Sequence, residues 1–309
     1  KSGNTYNINK GVPDLRPPVT SKLQSDTSKS FGKEWSLFYR EGWGQRETKE
    51  KSIFLNYTRL IPNQFKNKIV LDAGCGNGRY INIIKNFGPK FVIGVDISEA
   101  SYVCFENTKT FENVLIIRAD VNKLPFENNF FDVIYSIGVL HHTPNAKKSF
   151  SNLSKLCKLG GYFSVYLYGK GNILLYLSNI FLRKILAPRI PFFLRQIVVL
   201  TISGAAYFFR FLPYIGPIVL NFINRFIYVG DYHDTYDAYN SIQTTWHSAY
   251  EVEEWYNING FSCHIDERQQ KTALYCSGIK ISEKKIENRF KLEKRSYFKD
   301  LLYSAFTID

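Results

Sequence analysis

The sequence predicts an α/β fold built on a mostly parallel β-sheet. Short apolar runs alternate with helix-like segments through the first half of the 309-residue chain. This order favours right-handed crossover connections, which place successive strands parallel in one sheet. Hydrophobic residues make up 45% of the chain and charged residues 22%, so the chain can bury a large core and is not disordered.

The predicted elements follow one another in a regular order as far as residue 169. Strands are predicted at 69–73, 91–95, 114–117, 131–136 and 162–166, with helices beginning near 79 and 99 and a helix over 147–158. The aromatic stretch 31–59 is predicted to be helical, and the polar, proline-containing segment 1–30 a tail or linker. A helix at 251–259 and strands at 261–267 and 272–279 then close a domain that spans 31–169 and 231–281. A charged helix is predicted over 282–309.

The segment 170–230 interrupts this alternation and is predicted to be a mainly helical insertion before the last two strands. Its longest uncharged runs have fourteen residues each, whereas a bilayer-spanning helix needs about 20. A lid over the site is the favoured interpretation, followed by a segment lying in a membrane interface.

The net charge of +13 is concentrated in one part of the chain. Between Asp132 and Asp231 there are eleven basic residues and no acidic residue. Such a surplus indicates phosphate, nucleic acid or a membrane surface nearby, unless it is only a solvated face. The five cysteines include no CxxC pair, which argues against a zinc ribbon and a disulfide scaffold. We therefore expect a reducing, cytoplasmic setting, with possible contact at the periphery of a membrane, and no metal.

Three acidic residues lie at the ends of three successive predicted strands. Asp72 precedes the glycines at 74, 76 and 78, which let a backbone turn tightly and approach a ligand closely. Asp96 can accept hydrogen bonds from the two hydroxyls of a ribose, and Asp120 from an adenine amino group. A carboxylate at Asp72 would repel a pyrophosphate but suits an ammonium group. The ligand that carries all three groups is S-adenosylmethionine.

The chain resembles the class I S-adenosylmethionine-dependent methyltransferases, and specifically the type 11 group related to ubiquinone-biosynthesis methyltransferases. The motifs that carry the resemblance are DxGxGxG at 72–78, GVDI at 94–97, AD at 119–120, LPF at 124–126, FDVIYSIGVLHHTP at 131–144 and LGG at 159–161. The resemblance covers 31–167 and resumes over 231–279. It implies a Rossmann-like, seven-stranded, mostly parallel sheet with flanking helices.

The resemblance also implies how S-adenosylmethionine would be held. The methionine portion would contact Gly74, Gly76 and Gly78, with Asp72 directed at its ammonium. Asp96 would hold the ribose hydroxyls, while Ile97 packs on the adenine. Asp120 would bind the adenine amine with Val121 beside it, and Ser136 and Ile137 would lie near the sulfonium and the acceptor.

The acceptor side is less determined by the sequence. If the acceptor is a hydroxyl, a general base assists the transfer, and histidine suits that task. His141 and His142 follow the fourth strand of the alternating series, and Asp237 and His247 follow the insertion. Each of these side chains could instead satisfy only local backbone groups.

The predicted function is methyl transfer to a small-molecule or lipid- or glycan-linked acceptor, at oxygen or carbon. The acceptor is expected to be anionic because of the basic surplus. RNA methylation is the alternative, although the Asn/Asp-Pro-Pro-aromatic run of enzymes that methylate nucleobase amines is missing after 131–136. A non-catalytic membrane or partner adaptor with a methyltransferase fold is the other alternative. A nicotinamide-dependent oxidoreductase is disfavoured by Asp72 and Asp120.

Overall fold

The computed structural model describes residues 6–17, 21–44, 47–170, 176–177, 180–181, 189–223, 243–265 and 273–284. Its strands are β1 (Asn7–Asn9), β2 (Val12–Asp14), β3 (Ile69–Ala73), β4 (Phe91–Asp96), β5 (Val114–Arg118), β6 (Phe131–Ile137), β7 (Cys157–Tyr168), β8 (Phe261–His264) and β9 (Ala273–Lys280). Its α-helices are α1 (Lys22–Leu37), α2 (Glu47–Thr58), α3 (Arg79–Ile84), α4 (Ala100–Thr108), α5 (Ala146–Leu156), α6 (Phe192–Arg210), α7 (Ile215–Ile223) and α8 (Ala249–Ile258).

The strands form one mostly parallel sheet in the order β1-β2-β5-β4-β3-β6-β7-β9-β8. Strands β2, β5, β4, β3, β6 and β7 pair in parallel, and β1, β9 and β8 pair antiparallel at the edges. The predicted α/β class and the mostly parallel sheet are therefore confirmed.

Alternating side chains of the central strands build a core on each face of the sheet. Val70 and Val133 face the side covered by α2, α3 and α4, whereas Leu71 and Ile134 face the side covered by α5 and α8. This period-two alternation of fully apolar residues is expected where helices cover both faces of a parallel sheet. The two cores hold in place the strand ends that line the candidate site.

The sheet has nine strands in the described residues, so the predicted count of seven is wrong. The two additional strands are β1 and β2, which lie in the segment 1–30 that was expected to be a tail or linker. Val12 is fully buried, and the Leu15 N–H donates a hydrogen bond of 2.8 Å to the carbonyl oxygen of Arg118 on β5. Three-residue strands at a sheet edge are too short to show a recognisable hydrophobic period.

The described part of the insertion includes α6 and α7, which contact each other. Among the helices that the structure describes, none is long and apolar enough to cross a membrane. Most of the predicted charged helix over 282–309 lies outside the described residues, as does the beginning of the predicted segment 231–281.

Candidate active site

A cleft of about 390 Å³ lies at the carboxyl ends of β3, β4, β5, β6 and β7. This edge is where open parallel sheets bind their ligands. Strand ends line one half of the cleft, and aromatic side chains line the other half. The cleft is of the size that small-ligand sites occupy.

The loop after β3 turns sharply beneath this cleft. The N–H groups of Gly74 and Cys75 both donate to the carbonyl oxygen of Val95, at 2.7 and 3.0 Å. Gly74 has a φ of +97°, and a Cβ there would overlap the side chain of Val139. At Gly76, with a φ of +51°, a Cβ would lie 3.0 Å from Cε2 of Trp35. Glycine at these positions therefore allows close packing under the cleft.

Asp96 ends β4 and lines the cleft. Its Oδ1 accepts hydrogen bonds from the backbone N–H and the hydroxyl of Ser98, at 2.8 and 2.6 Å. Its Oδ2 accepts one from the N–H of Gly76 at 3.1 Å. A carboxylate offers about four acceptor positions, so these three hydrogen bonds hold Asp96 in place and leave about one position for a ligand hydroxyl.

Asp120 follows β5 and also lines the cleft. Its Oδ1 accepts from the backbone N–H of Asn122 at 2.8 Å and from its side-chain amide at 3.0 Å. Its Oδ2 accepts from the Gln24 side-chain amide at 2.9 Å. An amide NH₂ group at this oxygen is a donor of the same kind as the exocyclic amine of adenine, which fits the proposed contact.

Asp72 occupies a different position from the other two acids. It is buried beneath the loop and is not among the residues that line the cleft. Burial raises its pKa to about 8, although the hydroxyl of Tyr135, which donates to Oδ2 at 2.9 Å, acts in the opposite direction. The contact between Asp72 and an ammonium group stays a prediction.

Some of the remaining predicted cofactor residues line the cleft, and the others do not. Ile97, Val121 and Ile137 line the cleft together with Gly74. Gly76, Gly78 and Ser136 do not line it. The Ser136 hydroxyl donates to the carbonyl oxygen of Ala73 at 2.8 Å, which fastens β6 to the end of β3.

Helix α1 covers the cleft, and its residues were missed as site residues. Its inward face carries Gln24, Thr27, Ser28, Phe31, Glu34 and Trp35. The Ser28 hydroxyl donates to the carbonyl oxygen of Ile97 at 3.4 Å, beside the Gln24 contact with Asp120. These residues recur with spacings of three and four, which is the period of one helix face. That period was the available signal, but the partly polar residues 22–30 were assigned to the predicted tail or linker, and 31–37 to the predicted helical stretch.

The other half of the cleft is lined by aromatic side chains. Tyr57, Tyr166 and Tyr275 come from α2, β7 and β9, and their rings are nearly parallel with centroids 4.8–5.3 Å apart. Tyr168 and Trp246 also line this half. We name these five residues the aromatic chamber. Burial raises the pKa of Tyr275 above its usual value.

Of the predicted catalytic residues, His142 lies on the cleft wall. Its Nδ1 is 2.7 Å from the carbonyl oxygen of Gln243, which can only accept a hydrogen bond. In the neutral ring this contact assigns the proton to Nδ1 and leaves Nε2 as the acceptor nitrogen. The ring of Phe31 is 4.9 Å away, so α1 holds the imidazole from above.

His141 and His247 lie behind the wall and do not line the cleft. The fully buried ring of His141 stacks on Tyr168 at 3.9 Å. His247 Nε2 lies 2.9 Å from the Thr245 hydroxyl. Partial burial raises the pKa of Glu251, but hydrogen bonds from His247 and Ser248 and the charge of Lys170 lower it to about 2. Asp237 lies outside the described residues.

The arrangement fits S-adenosylmethionine. Two carboxylates at neighbouring strand ends face one cleft, a glycine turn lies beneath it, and Ile97 and Val121 supply apolar contact between the carboxylates. A nicotinamide dinucleotide would bring a pyrophosphate to this loop. The side chain of Asp72 lies immediately below the loop and offers no positive charge to that group.

Comparison with known proteins supports this assignment. Residues 71–165 match the family model described as "Methyltransferase domain", of the type 11 group. The chain is 37% identical over 105 residues to the sterol 4-C-methyltransferase strm-1 of Caenorhabditis elegans, over 33% of this chain and 31% of that one. It is 34% identical over 110 residues to a tRNA U34 carboxymethyltransferase of Pseudoalteromonas translucida, over 34% of each chain. The matched segment thus spans about a third of these relatives.

A solved complex is also similar. It contains a methyltransferase and its Trm112 activator from Haloferax volcanii, and it aligns over 84% of this chain and 100% of that chain, with a TM-score of 0.48 and 12% identity.

The family-model match over 71–165 includes the glycine loop, Asp96, Asp120 and His142. The match identifies residues 71–165 as a methyltransferase domain of the type 11 group, whose cofactor is S-adenosylmethionine.

Proposed function

We propose that the protein transfers a methyl group to a small-molecule or lipid- or glycan-linked acceptor, at an oxygen or carbon atom. One observation carries the proposal: the same cleft joins the carboxylates of Asp96 and Asp120 to the aromatic chamber, with His142 on its wall. Donor and acceptor would therefore meet inside one enclosed space. Alignment of this kind supplies much of the acceleration of an in-line displacement.

Some groups of the chain hold the methyl donor, and His142 takes part in proton transfer. S-adenosylmethionine, when bound, would supply a methyl group on a sulfonium, whose C–S bond would break with its electron pair passing to sulfur as the acceptor attacks carbon. Asp96, Asp120 and the turn at Gly74 hold the donor. His142 accepts the proton of a hydroxyl acceptor at Nε2, while the Gln243 carbonyl stabilises the ring proton at Nδ1.

The aromatic chamber favours an acceptor with an apolar or planar part. Tyr57, Tyr166 and Tyr275 offer broad ring surfaces with hydroxyl groups at their edges. The relative named as a sterol 4-C-methyltransferase supports an apolar acceptor methylated at carbon. Lys170 also lines the cleft, which suits the expected negative charge on the acceptor. A lipid-linked acceptor would bring the protein to the periphery of a membrane.

RNA is the second candidate acceptor. Relatives named as tRNA U34 carboxymethyltransferases support it, as does the basic surplus between Asp132 and Asp231. However, the family-model match lies at 71–165, the part of the chain that carries the predicted cofactor residues, and different acceptors can share one donor site. The adaptor alternative is disfavoured because Asp96 and Asp120 both face the cleft.

A labelling experiment separates these acceptors. The protein is incubated with S-adenosylmethionine carrying a labelled methyl group and with extract of its source cells, and the products are divided into organic and aqueous fractions. Label in the organic fraction supports a lipid-linked acceptor. Label in a small aqueous product that resists ribonuclease supports a polar small molecule. Ribonuclease-sensitive label would establish RNA, and no incorporation in any fraction would contradict methyl transfer.

A further inference from the structure

Helix α6 has two apolar faces, and only one of them packs against the protein. Val199 and Ala206 are buried and lie seven residues apart, which places them on the same side of the helix. Leu194, Ile197 and Phe208 fall on nearly the opposite side and are exposed. A helix that only covered the cleft as a lid would need the first face but not the second.

The exposed apolar face continues through the turn into α7. Ile215, Ile218 and Phe222 share one side of α7 and are 61–71% exposed. Phe211 and Tyr214, at and beyond the end of α6, are 66% and 86% exposed. We name the exposed apolar residues of α6, the turn and α7 the hairpin surface. Clustered exposure of large apolar side chains is uncommon on monomeric proteins and marks an interaction site.

The charge around the hairpin surface indicates what covers it. Arg189 precedes α6 and Arg210 ends it, and both are exposed. No acidic residue occurs in the sequence between Asp132 and Asp231. Helices that lie in a membrane interface combine an apolar face with basic residues that meet anionic headgroups. A second copy of the chain would instead bring like charges together, which disfavours self-association through this surface.

We propose that the hairpin surface docks on an anionic lipid bilayer. The aromatic and aliphatic side chains of α6 and α7 enter the boundary between headgroups and acyl chains, and Arg189 and Arg210 lie at the level of the phosphates. Neither helix is long and apolar enough to span the bilayer, so the contact is peripheral. The docking requires no cofactor, so it can be tested independently of methyl transfer.

Vesicle co-sedimentation of the full chain tests this proposal. The vesicles contain either phosphatidylcholine alone or phosphatidylcholine mixed with phosphatidylglycerol, without S-adenosylmethionine. The wild-type protein should sediment with the anionic vesicles, and the double variant Phe208→Glu/Ile218→Glu should bind at least tenfold more weakly. Both positions are exposed, at 62% and 71%, so charged side chains there are tolerated by the fold. Ile61→Glu, which is 62% exposed on another part of the chain, is the matched control and should bind like the wild type.

Three results would overturn the proposal. The first is that the wild-type protein fails to sediment with anionic vesicles. The second is that it partitions equally onto both kinds of vesicle, or that the double variant binds as the control does. The third is a wild-type dimer, seen by light scattering without vesicles, that becomes a monomer in the double variant; the hairpin surface would then be an interface between copies.

Discussion

At the scale of single residues, the cleft depends on carboxylates with different surroundings. Asp96 and Asp120 are held by backbone and amide donors at the cleft, whereas Asp72 lies in the core against Tyr135. The sequence predicted all three because each lies at the carboxyl end of a buried strand, at the same sheet edge. It did not distinguish the buried acid from the two at the cleft, because that depends on the packing of β3 against β6.

Asp96→Ala should weaken the binding of S-adenosylmethionine by about 1–3 kcal/mol, roughly 5- to 150-fold in Kd, because it removes the acceptor for the ribose hydroxyls. Calorimetric titration measures the change. Glu106→Ala, which removes a carboxylate from an exposed ion pair with Lys109, is the control and should bind normally. Unchanged affinity in Asp96→Ala would contradict the assignment of the ribose site.

Asp72 should make the stability of the cofactor-free protein fall with rising pH. Burial raises its folded pKa to about 8, whereas an unfolded aspartate has a pKa of about 3.9. Between these values the folded state holds the proton and the unfolded state does not, so the free energy of unfolding decreases as pH rises. Urea unfolding across this range should show the decline, and Asp72→Asn should reduce it. Glu106→Gln should leave the decline of the free energy of unfolding with pH unchanged. If Asp72→Asn shows the same decline as the wild type, another group is responsible.

His142→Gln should slow methyl transfer to a hydroxyl acceptor by about 10²–10⁴-fold, because it removes the general base. The affinity for S-adenosylmethionine should change little, and the remaining rate should lose its dependence on the protonation of a histidine. Label incorporation as a function of pH measures this. A variant with the wild-type rate and pH profile would remove His142 from the reaction.

At the scale of elements, the buried strands were predictable and the covering helix was not. The predicted bounds of β3 agree with the structure, and those of β4 and β5 differ by one residue, because fully buried parallel strands are continuous apolar runs. Helix α1 begins inside the segment 1–30 that was interpreted as a tail. It presents Gln24 and Ser28 to polar groups of the cleft, so its inward face does not show the apolar stripe by which helices are recognised.

Trp35→Ala should accelerate the dissociation of S-adenosylmethionine by about tenfold, because Trp35 packs over the glycine loop and forms part of the cover. Leu37→Ala is the matched control, since Leu37 is exposed near the end of the same helix. Stopped-flow displacement of the bound cofactor measures both rates. Equal rates in the two variants would show that α1 does not retain the cofactor.

At the scale of the whole molecule, the methyltransferase domain is expected to hold the methyl donor. The insertion between β7 and α8 is the part of the chain in which acceptor specificity can vary. The sequence predicted the insertion from the interrupted alternation after Gly169. It did not predict the outward apolar face of α6, because the direction of a helix face depends on which residues pack inward.

Deletion of 172–228 should preserve the affinity for S-adenosylmethionine and abolish methyl transfer. The residues proposed to hold the cofactor lie at the ends of β3, β4, β5 and β6, whereas the insertion follows directly after Lys170, which lines the proposed acceptor side of the cleft. Calorimetric titration and label incorporation are measured on the same sample. A deletion variant that binds the cofactor and still transfers the label would show that the insertion does not determine the acceptor.

The most direct test of the cofactor site is hydrogen–deuterium exchange with and without S-adenosylhomocysteine. We expect slower exchange at the glycine loop 74–78, at 96–98, at 119–122 and along α1, because ligand binding stabilises the hydrogen-bonded backbone that encloses the ligand. The strand pair β8 and β9 at the far edge should exchange at its original rate outside Tyr275. Absence of protection at 74–78 and 96–98, or protection confined to another part of the chain, would contradict the placement of the cofactor in this cleft.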